Sequence, residues 1–262
     1  MKGMIRFSVL GSGSNGNACY VETDNVRVLI DAGFSCREIE RRLKLLGRTP
    51  SDLDALIITH EHMDHIKGAG PLARRFQIPV YANHKTFQNG LKVLGNLTSP
   101  VVIHTGQTLS MDGLTIETFT KCHDAADPIG LVLSSGGIRI GLVTDLGRST
   151  RMAEDRLKGC RVLIMEFNHD LDMLERGPYP LALKRRIRGS EGHLSNNQAG
   201  DLLRTVCDGG LRHLVLAHLS EINNNPEAAY NEARTALEDR GIRDTSVLVS
   251  RQDDPIPLIG LE

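Results

Sequence analysis

The chain has 262 residues, of which 40% are hydrophobic and 24% charged, the balance of a soluble globular protein long enough for one large α/β domain with a sizeable core. A formal net charge of −1 argues against a generally polyanion-binding surface, so any contact with nucleic acid has to come from a local patch. No apolar run approaches the roughly 18 residues of a membrane span and no signal peptide is expected; five cysteines without a Cys-x-x-Cys pair argue against a disulfide framework and point to a reducing cytoplasm.

The first strand is expected over 4–10 and runs into Gly11-Ser12-Gly13-Ser14-Asn15-Gly16-Asn17. This segment contains a G-x-G-x-x-G, with Asp31 near the distance of a ribose-binding acid. Only nine residues separate Gly16 from the next strand, 26–31, and they include the strand-like Cys19-Tyr20-Val21-Glu22. No crossover helix fits, and a parallel return needs one. The segment therefore reads as an antiparallel meander with a glycine-rich turn. Its other use is to face an anion with backbone N–H groups and the amides of Asn15 and Asn17. Asp31 ends the second of these strands, where it either caps the turn or orients a ligand histidine. An amphipathic helix is expected over 35–46, with Ile39, Leu43 and Leu46 on one stripe.

A short buried strand over 53–59 leads into Thr59-His60-Glu61-His62-Met63-Asp64-His65. Three of the ten histidines fall here, at the point where a strand gives way to a loop, and rigidly held loops are where reactive groups are placed. Imidazole and carboxylate suit zinc, manganese and iron. One ion does not accommodate all four side chains, so two ions are the economical reading, one on His60 and His62 and the other on Asp64 and His65. Helices follow over 70–76 and 83–91 around a strand at 79–82. Strands are then expected at 101–104, 108–110, 114–120, 129–134 and 138–145. His123 lies just after the third of these and Asp145 at the end of the last. The first cluster still lacks ligands for two ions, which makes His123 a candidate ligand and Asp145 the candidate bridging carboxylate.

A further buried strand is expected over 161–167, then an irregular stretch and a helix over 178–187. Lys184, Arg185, Arg186 and Arg188 place four positive charges in five residues, shortly before Gly192-His193-Leu194-Ser195-Asn196. A basic run is usually a solvated helix face; beside His193 its sharper use is to guide phosphates. Ser195 caps a helix reaching Val206, His218 stands near the end of a strand over 213–219, and Pro226 opens a helix to about Arg240. A strand over 246–250 closes the chain. No repeat and no domain boundary is visible, so one domain over 1–262 is expected.

With Asp31, the His60-x-His62-x-Asp64-His65 cluster, His123, Asp145 and His218 in this order, the chain resembles the metallo-β-lactamase fold superfamily. The resemblance implies a four-layer α-β-β-α sandwich with mixed sheets and a dinuclear metal site at one edge. It assigns His60, His62 and His123 to a first ion, Asp64, His65 and His218 to a second, and Asp145 to both; Asp64 is counted as a catalytic group as well as a ligand. Asp31 becomes a partner that orients a ligand. The glycine-rich turn, His123-Asp124-Ala125, the His193 segment and His218-Leu219-Ser220 with Asn224 and Pro226 look like the YycJ/WalJ group, also called VicX. That group is regarded as a 5′→3′ DNA exonuclease associated with mismatch repair in bacteria. The chain is also similar to phosphodiesterases of the PhnP type, in which a histidine outside the metal set serves as an acid; His193 matches it by position. Only 72 residues separate Asp145 from His218, too few for the inserted domain of the β-CASP nucleases.

The implied chemistry is phosphodiester hydrolysis by a hydroxide held between two divalent ions (Zn, Mn or Fe), with His193 as general acid. DNA is the expected substrate, with Asn15, Asn17, Ser195, Asn224 and the basic run as expected contacts. The rivals are a small phosphodiester, thioester or lactone hydrolase with the same metals, and a non-catalytic metal-bound regulatory module.

Overall fold

The computed structural model describes residues 4–262. Two seven-stranded sheets divide the strands between them. The first contains β1 (Ile5–Gly11), β2 (Ala18–Glu22), β3 (Arg27–Ile30), β4 (Ala55–Ile57), β5 (Val80–Asn83) and β6 (Pro100–Ile103), with the last strand of the chain, β14 (Ile259–Leu261), added beside β1. The second contains β7 (Thr108–Met111), β8 (Leu114–Thr120), β9 (Ile129–Ser135), β10 (Ile138–Val143), β11 (Val162–Glu166), β12 (His213–Ala217) and β13 (Ser246–Val249). Each sheet begins antiparallel and turns parallel. In the first the change comes at β3, which pairs antiparallel with β2 and parallel with β4. In the second it comes at β10, antiparallel to β9 and parallel to β11. The letters gave no sign of this repeated topology.

Parallel strands need crossovers, and the helices supply them. Beside the first sheet lie α1 (Cys36–Leu45), the single turn α2 (Met63–Ile66), α3 (Ala69–Phe76) and α4 (His84–Leu94); beside the second lie α5 (Arg151–Leu157), α6 (Leu171–Arg176), α7 (Leu181–Arg188), α8 (Asn196–Val206) and α9 (Pro226–Asp239). Three apolar clusters fill the spaces between four layers. Phe7, Val28 and Ile57 of one sheet meet Leu131, Ile140 and Val215 of the other in the central one. Leu29, Leu56 and Val80 on the outer face of the first sheet pack with Ile39 and Leu43 of α1 and Leu72 of α3. Leu163, Met165 and Leu214 on the outer face of the second pack with Leu203 of α8 and Leu237 of α9. The metallo-β-lactamase α-β-β-α sandwich is thus the observed architecture. No helix among the described residues is long and apolar enough to cross a membrane.

Three expectations of local structure change. The helix expected over 178–187 starts later, at Leu181, and a separate α6 precedes it. Pro178 and Pro180 lack the N–H a helix needs and hold the residues before them extended, so the two helices cannot merge. α5, capped by the Thr150 side chain on Ala153 N, went unpredicted. The strand over 246–250 does not close the chain, because β14 follows and pairs antiparallel with β1.

Candidate dinuclear metal centre

The site is built where strands of both sheets end. Asp31 follows β3, Asp145 lies two residues beyond β10, and His218 follows β12. All three adopt left-handed backbone, with φ of 59°, 55° and 55°. That conformation costs an L-residue about 1–2 kcal/mol, and Asp and His are among the few types that tolerate it. Each strand therefore stops in a sharp turn at a residue with a chemical side chain. Close backbone approach completes the frame. A Cβ on Gly33 would lie 1.7 Å from the Asp64 carbonyl oxygen, which accepts a hydrogen bond from Asn17 N at 2.7 Å.

Three donor sets result, one of which, Asp145 with Glu166, His193 and His218, is closed by the hydrogen bonds to Glu166; the other two are open to cations. His60, His62 and His123 form one, with their ring centroids 4.7 to 5.0 Å apart and His62 Nδ1 3.2 Å from His123 Nε2. Asp64, His65, Asp145 and His218 form the other. There His65 Nε2 lies 3.2 Å from Asp145 Oδ2 and 3.4 Å from Asp64 Oδ2, and His218 Nε2 lies 3.3 Å from Asp145 Oδ1 and 3.4 Å from Asp64 Oδ2. In a tetrahedral shell with bonds of about 2.0–2.1 Å, neighbouring donors stand ~3.3 Å apart. The Asp145 carboxylate also reaches toward the first group, 3.9 Å from His123 Nε2.

The outer nitrogens are anchored in the way metal-ligating histidines require. His65 Nδ1 donates to Asp31 Oδ2 at 2.8 Å, and the Thr59 hydroxyl donates to the same oxygen at 2.8 Å while lying 3.0 Å from His60 Nδ1. One buried carboxylate thus sets a histidine of each group. His123 Nδ1 donates to Gly192 O at 3.2 Å, and His218 Nδ1 to Glu166 Oε1 at 3.0 Å. Two inner atoms, His60 Nε2 and Asp145 Oδ2, are buried without a hydrogen bond. Buried polar atoms are nearly always satisfied, and the donor set and spacing here fit cations.

The electrostatics of the groups differ. Burial holds His60 and His123 below the ordinary imidazole value, His123 at about 4, so both stand neutral and ready to ligate. Burial acts the same way on His65 and His218, but there the carboxylates win. Asp145, Asp64 and Asp31 carry His65 well above its ordinary value, and Asp145, Asp64 and Glu166 raise His218 to about 10. The second group sits in a negative field that positive charge, proton or cation, must answer.

Glu166, at the end of β11, is fully buried and was missed from the sequence. Its Oε1 accepts from His193 Nδ1 at 2.8 Å, His218 Nδ1 at 3.0 Å and Asp145 N at 3.2 Å; its Oε2 accepts from Leu146 N at 2.9 Å and Leu194 N at 3.0 Å. Five donors exhaust a carboxylate's lone pairs, so Glu166 is an anchor and has no room for a cation of its own. The available signal was a lone acid ending an apolar strand, the same pattern that drew attention to Asp31. Lys121 was missed as well: it is buried, donates to Thr144 O at 2.7 Å and lies 3.8 Å from Asp145 Oδ2.

A cleft of ≈ 210 Å³ opens over the two groups, with His193 and Arg186 on its wall. His193 belongs to neither group; its ring stacks 5.1 Å from His218 and lies 5.2 Å from His123. The expected substrate contacts separate. Asn17 is buried and donates to Asp64 Oδ2 at 3.0 Å, Ser195 is buried as the reciprocal cap of α8, and Asn224 is buried and donates to Phe167 O at 2.9 Å. These three side chains hold the frame and do not line the cleft, which corrects their expected role. Asn15 is exposed and donates to Glu221 at 3.0 Å. In the basic run only Arg186 lines the cleft, clasping Asp124 at 2.5 Å; Arg188 pairs with Glu175 at 2.7 Å, Lys184 donates to Glu175 O, and Arg185 has no ion pair among the described residues.

Residues 26–219 match the family described as Beta-lactamase superfamily domain. The chain is 37% identical to the exodeoxyribonuclease YycJ of Bacillus anthracis over 90% of both proteins, and 36% identical to the exodeoxyribonuclease WalJ of Streptococcus pneumoniae over 86% of both. In fold it is similar to the metallo-β-lactamase fold protein YhfI of Bacillus subtilis, with a TM-score of 0.74 at 20% identity over 97% of this chain and 99% of that one. A diphosphatase of the PhnP family matches with a TM-score of 0.68 at 17% identity over 98% of each. The family match over most of the chain, the two relatives and the paired donor groups lead to one conclusion: the chain belongs to the β-lactamase superfamily, as a metallo-β-lactamase fold protein.

Proposed function

We propose that the chain is a metal-dependent phosphodiesterase that removes nucleotides from DNA from the 5′ end. His60, His62 and His123 would hold one divalent cation and Asp64, His65 and His218 a second, with Asp145 within reach of both; zinc, manganese and iron suit these donors. The full-length likeness to two proteins named exodeoxyribonucleases supports the substrate class. Cations in these groups would polarise a phosphoryl oxygen and bring a water's pKa toward neutrality.

The observation that carries the reading is the His193–Glu166 pair, 2.8 Å apart beside the metal groups. Glu166 accepts a hydrogen bond from His193 Nδ1 and fixes the ring, which leaves Nε2 to face the cleft. There it hands a proton to the departing sugar oxygen. A strongly basic alkoxide needs that help, and p-nitrophenolate does not. Arg186, tied to Asp124 at the mouth, meets the phosphate charge.

The test is His193→Ala. It is expected to retain two equivalents of metal and to lose about 10²–10⁴-fold in kcat on 5′-labelled duplex DNA, with a much smaller loss on bis(p-nitrophenyl) phosphate. Equal losses on both diesters would overturn the acid role. Lost metal would make His193 a ligand, and wild-type inactivity on DNA with turnover of small esters would replace the nuclease reading.

A further inference from the structure

Among the described residues, α7 is the one helix of eight or more residues that buries no side chain. Its apolar residues are nevertheless ordered. Leu183 and Ile187 stand four residues apart on one stripe of the helix, and Tyr179 lies just before its cap, Pro180. An amphipathic helix normally buries such a stripe against a neighbour. Here all three residues stay half-buried and line the same cleft as Asp64, Asp145 and His193. The helix is fixed in that position. Arg186 binds Asp124, Arg188 binds Glu175, and His193 N donates to Ile187 O at 2.9 Å. The cleft is therefore lined by apolar and aromatic side chains from this segment together with charged ones from the donor groups.

We propose that Tyr179, Leu183 and Ile187 form a platform for the nucleoside of the terminal nucleotide, whose phosphate lies over the donor groups. This rests on the phosphodiesterase reading above. A nucleotide has two parts to match that lining: a flat apolar base and an anionic phosphate. Bases of any identity stack on such side chains, so the platform binds without reading sequence. The cation on the same helix, Arg186, stands between Leu183 and Ile187 in sequence and lines the cleft with them, which matches an anionic ligand better than an uncharged acyl chain.

The test compares two substrates with one leaving group, thymidine 3′-(p-nitrophenyl phosphate) and methyl p-nitrophenyl phosphate, on metal-loaded protein. The wild type is expected to prefer the thymidine ester in kcat/KM. Tyr179→Ala and Leu183→Ala should each cut that preference about 10-fold, chiefly through KM, a factor that corresponds to about 1.4 kcal/mol and lies within the range of base stacking. Tyr179→Phe, which keeps the ring, should keep the preference. An unchanged preference in both alanine variants, with wild-type circular dichroism and metal content, overturns the platform. Failure of the underlying reading looks different: the wild type then hydrolyses neither diester while turning over p-nitrophenyl hexanoate, and the platform falls with it.

Discussion

Asp31, beyond β3 of the first sheet, and Glu166, at the end of β11 of the second, are both buried carboxylates with an imidazole nitrogen at 2.8 Å. Their partners differ. Asp31 holds His65 directly and His60 through the Thr59 hydroxyl, one residue from each donor group. Glu166 holds His218, from the second group, and His193, from neither. It also gathers three backbone N–H groups, two from the turn that carries Asp145 and one from the segment after His193. On the proposed mechanism the first carboxylate would serve metal retention alone, and the second would tie metal retention to the group placed to move a proton. Similar burial and similar distances thus support different work, and the partner list decides which.

The largest expected effect follows from that difference. Glu166→Gln should lower DNA turnover by about 10²–10⁴-fold, the range of a general acid, and added metal should not restore it, because His193 loses its orientation whatever occupies the donor groups. Asp31→Asn keeps a residue that tolerates left-handed backbone. It should weaken metal binding by about 10–100-fold and regain most of its turnover at saturating metal. Metal titrations of the two variants, read by activity and by bound equivalents, break the comparison if both are rescued or neither is.

A smaller effect is expected outside the two anchors. The sequence offered the whole basic run as a guide for phosphates, but only Arg186 of it lines the cleft. Arg186→Ala should therefore raise KM for DNA and flatten the dependence of log affinity on log salt by about 0.9, one phosphate contact on duplex DNA. Arg185→Ala, on the same helix, should leave the slope alone.

The smallest effect is on a buried carboxylate remote from the site. Burial alone would raise the Glu22 pKa, but hydrogen bonds from Arg48 and Tyr20 outweigh it and hold the group below its ordinary value. A depressed folded-state pKa stabilises above the unfolded value, and the contribution fades as pH falls through the folded one. Glu22→Gln should cost about 2 kcal/mol at pH 7, less at pH 3, with kcat unchanged. Urea denaturation at both pH values measures it, and a cost that grows on acidification contradicts the sign.

Much of the site was legible because metal chemistry limits the residue types that can serve it. The cluster from His60 to His65 lies within six residues, and Asp31, Asp145 and His218 each end an apolar run; the ligand role of His218 came from the resemblance to the metallo-β-lactamase superfamily. Glu166 stood in the same kind of place and was passed over. It touches no residue near it in sequence, and its function exists only once His193, His218 and the Asp145 turn converge. Asn17, Ser195 and Asn224 were read as substrate contacts because exposed polar turns bind anions; the fold buries all three, and burial turned their hydrogen bonds inward. β14 was invisible for a related reason, since three residues form a strand only against β1, whose partners stand more than 250 positions away. The α6–α7 division could have been read from Pro178 and Pro180.

The left-handed turns at Asp31, Asp145 and His218 bear on how such a protein can be altered. At each, the letter that performs the chemistry also bends the chain. A saturation library scored for solubility would admit glycine there, since it enters that conformation without steric cost. A library scored for turnover would reject it. Selection for robustness and selection for catalysis therefore pull in opposite directions at these three positions, the usual conflict between stability and activity. Engineering the protein for heat resistance should begin elsewhere, and a consensus design that smooths these turns would yield a sturdier sandwich with an empty edge.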